Sequence, residues 1–125
     1  MGIGEPDWGT FSMECGLVDL ERRLARFNAD VFSRNGYIGR SLHRLFISAG
    51  LQGLSVELFA VPFTSDAFTR YALDADRVEA AAIAAGALTA EEVARMREEC
   101  ERADAAGAFF ASLTGVWVSG RKPAH

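Results

Sequence analysis

Two carboxylates and a tryptophan lie close together near the start of the chain, at Glu5, Asp7 and Trp8. Pro6 restricts Glu5 to extended geometry and Gly9 permits a tight turn, so this run is predicted to be a strand end entering a turn. Sites in α/β proteins form at the carboxyl ends of parallel strands, which makes Glu5 and Asp7 candidate substrate contacts. The alternatives are a turn in which Asp7 bonds its own backbone, and core packing for Trp8.

Four further residues are predicted to form the floor of the same site. Phe63 and Thr64 end one predicted strand, and Phe109 and Phe110 begin another. If these strands share a sheet with the first, the four residues meet at the edge where Trp8 lies. Their rings would suit an apolar or aromatic ligand. The alternative is that the rings seal the intervening helices onto the sheet.

The remaining residue types that could do chemistry are isolated from one another. Cys15 and Cys100 are far apart and lack CxxC spacing, and the histidines are His43 and the terminal His125. Neither a disulfide framework nor a metal site is predicted from such spacing. Arg40 begins a predicted helix, where a cation does not suit the helix dipole. It is either a surface arginine or a residue with another role.

Composition excludes several classes of protein. The chain has 125 residues, half of them apolar, and a formal net charge of −4. This length fits one domain covering residues 1–125. The acidic balance argues against binding nucleic acid. The sequence contains neither an apolar run long enough to cross a membrane nor a secretory signal, so the predicted location is the cytoplasm.

Hydrophobic periodicity predicts alternating helices and strands. After the initial strand end, helices are expected over residues 16–33 and 39–49 and a strand over residues 54–63. A helical stretch over residues 66–107 is broken near Gly86, and Thr89 and Glu92 form a capping box within it. The last strand covers residues 109–119. Gly50 is expected to end the second helix with Leu51 packing back.

Several short segments, taken in their order and spacing, resemble the C-terminal part of class I S-adenosylmethionine-dependent methyltransferases. The likeness covers almost the whole chain, although each piece is weak alone. The segments are Gly4-Glu5-Pro6-Asp7-Trp8, Tyr37-Ile38-Gly39-Arg40, Leu45-Phe46 leading to Ala49-Gly50-Leu51, Val61-Pro62-Phe63-Thr64, and Phe109-Phe110-Ala111-Ser112-Leu113-Thr114-Gly115 leading to Gly120-Arg121-Lys122-Pro123.

The resemblance implies an α/β fold class, namely the C-terminal part of a Rossmann-like methyltransferase fold. About three strands are expected, in the sheet order first, last, middle, as a parallel pair with an antiparallel strand between them. The helical stretch over residues 66–107 would be an insertion that covers the substrate. Helices on both faces of the sheet would make three layers.

The resemblance also implies a function. The chain would be the substrate-side portion of a methyltransferase that acts on a small apolar or aromatic acceptor, and it would be inactive alone. The complete enzyme would use S-adenosyl-L-methionine. This chain alone would bind no cofactor, because the Gly-rich loop and the ribose-binding acidic residue of the family are missing. No catalytic residue is assigned, since methyl transfer requires alignment of acceptor and methyl more than a paired nucleophile.

The implied partners are a small-molecule substrate and either a missing N-terminal half or further copies of the chain, without nucleic acid or membrane. An open sheet edge at residues 1–5 and a partly exposed apolar stripe would favour association. The alternative function is a non-enzymatic α/β binding or interaction module. The stripe consists of Leu20, Leu24, Phe27, Leu42, Leu45 and Phe46.

Overall fold

A three-stranded sheet forms the centre of the protein in a computed structural model that describes residues 1–124. The strands are β1 (Gly2–Glu14), β2 (Gln52–Phe63) and β3 (Phe110–Arg121), in the order β1-β3-β2. The predicted sheet order and the antiparallel pairing of residues 54–63 with residues 113–119 are confirmed. β1 and β2 flank β3 and therefore run in the same direction without pairing with each other.

The predicted fold class is wrong. Both ladders of the sheet are antiparallel, and residues 1–124 contain no parallel ladder of the Rossmann-like kind. The first strand does not end near Glu5 but continues to Glu14, across a register shift between Asp7 and Ser12. Pro6 and Gly9 were misleading because β1 is an edge strand, which tolerates proline and absorbs extra residues as a bulge.

Five helices and one π-helical turn complete the fold. The turn, Asn28–Phe32, continues the first helix directly. Asp74 breaks the predicted long helical stretch a second time, since its backbone is left-handed with a φ of 57°. The break near Gly86 and the capping box at Thr89 are confirmed. The helices are α1 (Val18–Phe27), α2 (Ile38–Ser48), α3 (Asp66–Leu73), α4 (Ala75–Ala84) and α5 (Ala90–Ala105).

Helices cover both faces of the sheet, at opposite ends of β3. Ala111 and Leu113 join a large apolar core with α1, α3, α4 and α5. Val116 and Val118 join a smaller core with α2. These two pairs lie on opposite faces, because side chains alternate along a strand.

The expected exposure of the apolar stripe on the first two helices is wrong for five of its six members, which are buried against the sheet. The exception is Leu45, which is 44% exposed. Within the described part of the chain, no helix has the length and apolarity needed to span a bilayer.

Candidate functional site

The seven predicted site residues occupy two separate places in the structure. Glu5, Asp7 and Trp8 lie in the first half of β1. Phe63 pairs with Ala111, beside Phe109 and Phe110, at the end of the sheet where β1 finishes. The two groups are separated because β1 runs on for several residues beyond Trp8.

The second group divides between the core and the surface. Phe63 and Phe109 are buried in the large core, and the Phe63 ring lies 5.8 Å from that of Phe68 in α3. Thr64 and Phe110 are exposed. The two buried rings therefore lie between the sheet and the helical region, as in the alternative interpretation of these phenylalanines.

The first group borders a hollow of about 460 Å³ between β1, the π-helical turn, the loop that follows it and α4. We call this the β1–α4 hollow. It combines aromatic rings, two guanidinium groups and one carboxylate. Its lining residues are Glu5, Pro6, Trp8, Phe32, Ser33, Arg34, Asn35, Ile38 and Arg77. The hollow is open to solvent, and other depressions on the surface have similar or larger volumes.

Local backbone geometry builds the wall of the hollow. The π-helical turn adds a residue to the last turn of α1 and ends at Phe32, and such turns are frequent at functional sites. The Trp8 N–H donates to the Gly36 carbonyl over 2.8 Å, which joins the loop to β1. Gly36 lies so close to the backbone of Ala29 that a Cβ there would be 2.0 Å from the Ala29 oxygen. Only glycine fits this approach.

The charged groups of the hollow differ in how they are compensated. Arg77 donates to Asp74 over 2.9 Å, and its guanidinium carbon lies 5.6 Å from the centre of the Phe32 ring. Arg34 and Glu5 form no ion pair with any other residue in the range 1–124. The hollow therefore offers one cation and one carboxylate that are free to meet a ligand.

Asp7 is buried and committed to the fold. It accepts two hydrogen bonds from Arg40, at 2.7 and 3.1 Å, and a third from the Gly9 N–H at 3.0 Å. The pairing raises the pKa of Arg40 above its usual value. Asp7 thus joins β1 to α2, which gives Arg40 a structural role at the start of that helix. Because both carboxylate oxygens of Asp7 already accept hydrogen bonds, neither is free for a substrate.

A second depression, of about 370 Å³, is lined by Gly9, Arg22, Ala25, Arg26, Tyr37 and Arg40. Its charges are compensated within the protein. Arg22 bonds Glu21, Arg26 bonds Asp30, and Arg40 bonds Asp7. The Tyr37 hydroxyl donates to Asp30, which lowers the pKa of that carboxyl and raises the pKa of the phenol. This depression is less suited to a charged ligand than the hollow.

Sequence reasoning missed Phe32, Arg34 and Arg77 as site residues. The Asn35-Gly36 pair marks a loop after the first helix, which was a usable local signal for Arg34. Nothing local marks Arg77, because the turn at Asp74 brings α4 to the hollow.

Among residues 1–124 there is neither a cluster of metal ligands nor a Gly-rich loop between β1 and α1. No group of three His, Cys, Asp or Glu side chains in residues 1–124 could hold a metal ion. The link from β1 to α1 is Cys15-Gly16-Leu17, which does not form the Gly-rich cradle that S-adenosylmethionine would require.

No family model matches the chain. It is 32% identical over 112 residues to an uncharacterized 37.1 kDa protein in transposon TN4556 of Streptomyces fradiae. The match covers 90% of this chain and 31% of that protein, so the chain spans about a third of the relative's length.

Proposed function

We propose that this chain supplies the acceptor-binding side of an S-adenosylmethionine-dependent methyltransferase, with a small aromatic acceptor bound in the β1–α4 hollow. The observation that carries the proposal is that Glu5 and Trp8, which the sequence suggested as candidate substrate contacts, line the same hollow as Phe32.

The chain's own residues would bind and orient the acceptor. The rings of Trp8 and Phe32 offer aromatic surface, and the Glu5 carboxylate can accept a hydrogen bond from an acceptor hydroxyl or amine. Alignment of this kind contributes strongly to rate when the two reactants are held in place. In this proposal the methyl donor is bound by residues outside this chain, because the sequence lacks the Gly-rich loop and the ribose-binding acidic residue that the resemblance implies.

A chimera tests the proposal. In the Streptomyces fradiae protein, the matched segment would be replaced by this chain, and transfer of tritium from methyl-labelled S-adenosylmethionine to a set of phenols would be measured. We expect the chimera to transfer the methyl group. Glu5→Gln should lower the transfer rate by about tenfold or more, as the loss of a positioned acid or base does. Glu57→Gln, on the exposed edge strand, should change nothing.

Two results would refute the proposal. One is a Streptomyces fradiae protein and a chimera that both fail to bind S-adenosylmethionine. The other is transfer that is equally fast with the Glu5→Gln variant. Calorimetry on this chain alone should show no micromolar binding of the cofactor, which would correspond to about −8 kcal/mol.

A separate observation favours the interaction module as a second candidate. β2 is exposed along most of its length, and no strand of residues 1–124 pairs with its outer edge. Val56 and Leu58 are exposed, and so is Phe59 on the opposite face. An open apolar edge strand is a template for pairing with another chain.

The partner in this second proposal is another copy of the chain. Glu57 is the only charged residue in β2. Antiparallel self-pairing centred on Leu58 places Glu57 opposite Phe59 of the other copy, so the two carboxylates do not face each other. A chimera that transfers no methyl group, together with a chain that dimerises through β2, would favour this candidate over the enzyme.

A further inference from the structure

The part of the β1–α4 hollow that is formed by the loop and α4 carries positive charge. Arg34 comes from the loop after the π-helical turn, and Arg77 comes from α4. Arg77 uses one nitrogen for Asp74, which leaves further N–H donors of the same guanidinium. Arg34 is exposed and forms no ion pair within residues 1–124.

Most arginines of this protein are already engaged. Salt bridges to carboxylates occupy Arg22, Arg23, Arg26, Arg40, Arg70, Arg77, Arg97 and Arg102. Of the arginines without such a bond, Arg34 is the one that lines the hollow. Because the fold does not use the positive charge of Arg34, this charge is available to bind an anion beside the aromatic rings.

The backbone on both sides of Arg34 is fixed. The Ser33 N–H donates to the Asn28 carbonyl over 2.8 Å, and the Ser33 hydroxyl donates to the Asn28 side chain over 3.0 Å. On the other side, the Ile38 N–H donates to the Asn35 carbonyl over 3.0 Å. A fixed backbone reduces the entropy lost when the guanidinium binds a ligand.

We infer that the β1–α4 hollow binds a small aromatic compound that carries a carboxylate, and that Arg34 is its anion-binding residue. This inference rests on the proposed function and names the class of acceptor. Guanidinium matches a carboxylate in a two-bond geometry. Glu5 repels an anion placed beside it, so the carboxylate lies on the side of Arg34 and Arg77, and the group facing Glu5 is a proton donor.

Calorimetry with two matched probes tests the inference on the full chain. The probes are 4-hydroxybenzoate and 4-hydroxybenzamide, which share ring, hydroxyl and size but differ in charge. We expect the acid to bind at least about tenfold more tightly, the size of effect typical of a hydrogen bond to a charged group. Arg34→Gln should remove this preference, and Arg44→Gln, an exposed arginine on α2 away from the hollow, should preserve it.

The outcomes separate this inference from the proposed function. Three results would overturn the carboxylate assignment: equal binding of the two probes, no binding of either probe, or a preference for the acid that survives Arg34→Gln. Each would do so even if the chimera transfers methyl groups to neutral phenols. A preference that depends on Arg34, together with a chimera that is inert with S-adenosylmethionine, would support the anion site and refute the methyltransferase. Circular dichroism of each variant confirms that the exposed substitution leaves the fold intact.

Discussion

The helix-covered core and the β2 edge of the sheet differ in how completely their apolar side chains are buried. At the end where β1 finishes, α1, α3, α4 and α5 enclose a continuous apolar core. Glu79 is buried at its border and accepts hydrogen bonds from Arg70 and Arg97. Along one edge of the sheet, β2 exposes apolar side chains on both faces. The first region therefore stabilises the fold, and the second is a surface that contributes little to the stability of a single copy.

Removing a core side chain is the strongest test of this contrast. Met96 in α5 is 1% exposed, and Met96→Ala should lower the free energy of unfolding by about 3 kcal/mol, as buried large-to-small substitutions do. Leu58→Ala on β2, where the side chain is 70% exposed, should cost less than about 0.5 kcal/mol. Urea denaturation of both variants gives the comparison. Similar losses would mean that β2 contributes to the core as much as α5.

The charge network predicts a smaller loss. In the Glu79→Ala variant, Arg70 and Arg97 would face each other without the carboxylate that they share. Breaking a fully buried pair costs about 3–5 kcal/mol, and because both guanidiniums are partly exposed we expect about 2 kcal/mol.

Asp76 is the matched control, since it contacts the same two arginines but is exposed to solvent. Asp76→Asn should leave the urea midpoint nearly unchanged. An Asp76→Asn variant as unstable as Glu79→Ala would show that burial of the carboxylate is irrelevant to the network.

Glu21 provides a third test, through pH. It is buried at the junction of α1 and β1, where burial raises the pKa of its carboxyl against the opposing effect of Arg22. The folded chain therefore holds this proton more tightly than the unfolded chain does. Stability consequently falls as the pH rises from the usual carboxyl range through the raised pKa.

Glu21→Gln removes this dependence while keeping an oxygen for the Met13 N–H. Above the raised pKa the variant should be more stable than the natural chain. At lower pH the gain should vanish. Denaturation at a series of pH values measures the difference, and a difference that is constant with pH would contradict the assigned burial effect.

The sequence predicted features that depend on local chemistry. The capping box at Thr89 and the helix ending at Gly50 were both identified, and the Leu51 N–H indeed donates to the Phe46 carbonyl over 3.1 Å. These motifs satisfy helix ends within a few residues, so a short window of sequence contains all the information they need.

Features that depend on distant contacts were predicted less well. Pro6 and Gly9 indicated a turn, but pairing with β3 keeps β1 extended to Glu14. Of the residues that line the hollow, the sequence singled out Trp8 and Glu5, whereas Arg77 reaches it only because Asp74 redirects the chain into α4. Local sequence does not record which strand provides pairing or where a later helix will lie.

Substitution of an exposed side chain on β2 should cause the smallest change in the stability of a single copy. Leu58→Lys should alter the free energy of unfolding by less than about 0.5 kcal/mol, since the side chain is already in solvent. It should nevertheless reduce self-association, because charged side chains on an edge strand oppose pairing with another chain.

Sedimentation velocity over a range of concentrations would measure this effect. We expect the apparent mass of the natural chain to rise with concentration and that of Leu58→Lys to stay at the monomer value. Ile47→Lys is the matched control, because Ile47 is also an exposed apolar residue but lies on α2. If Ile47→Lys prevents association as well as Leu58→Lys does, the association is a general consequence of exposed apolar surface. If only Leu58→Lys prevents it, the contact is strand pairing at β2, and a natural chain that stays monomeric throughout would rule that pairing out.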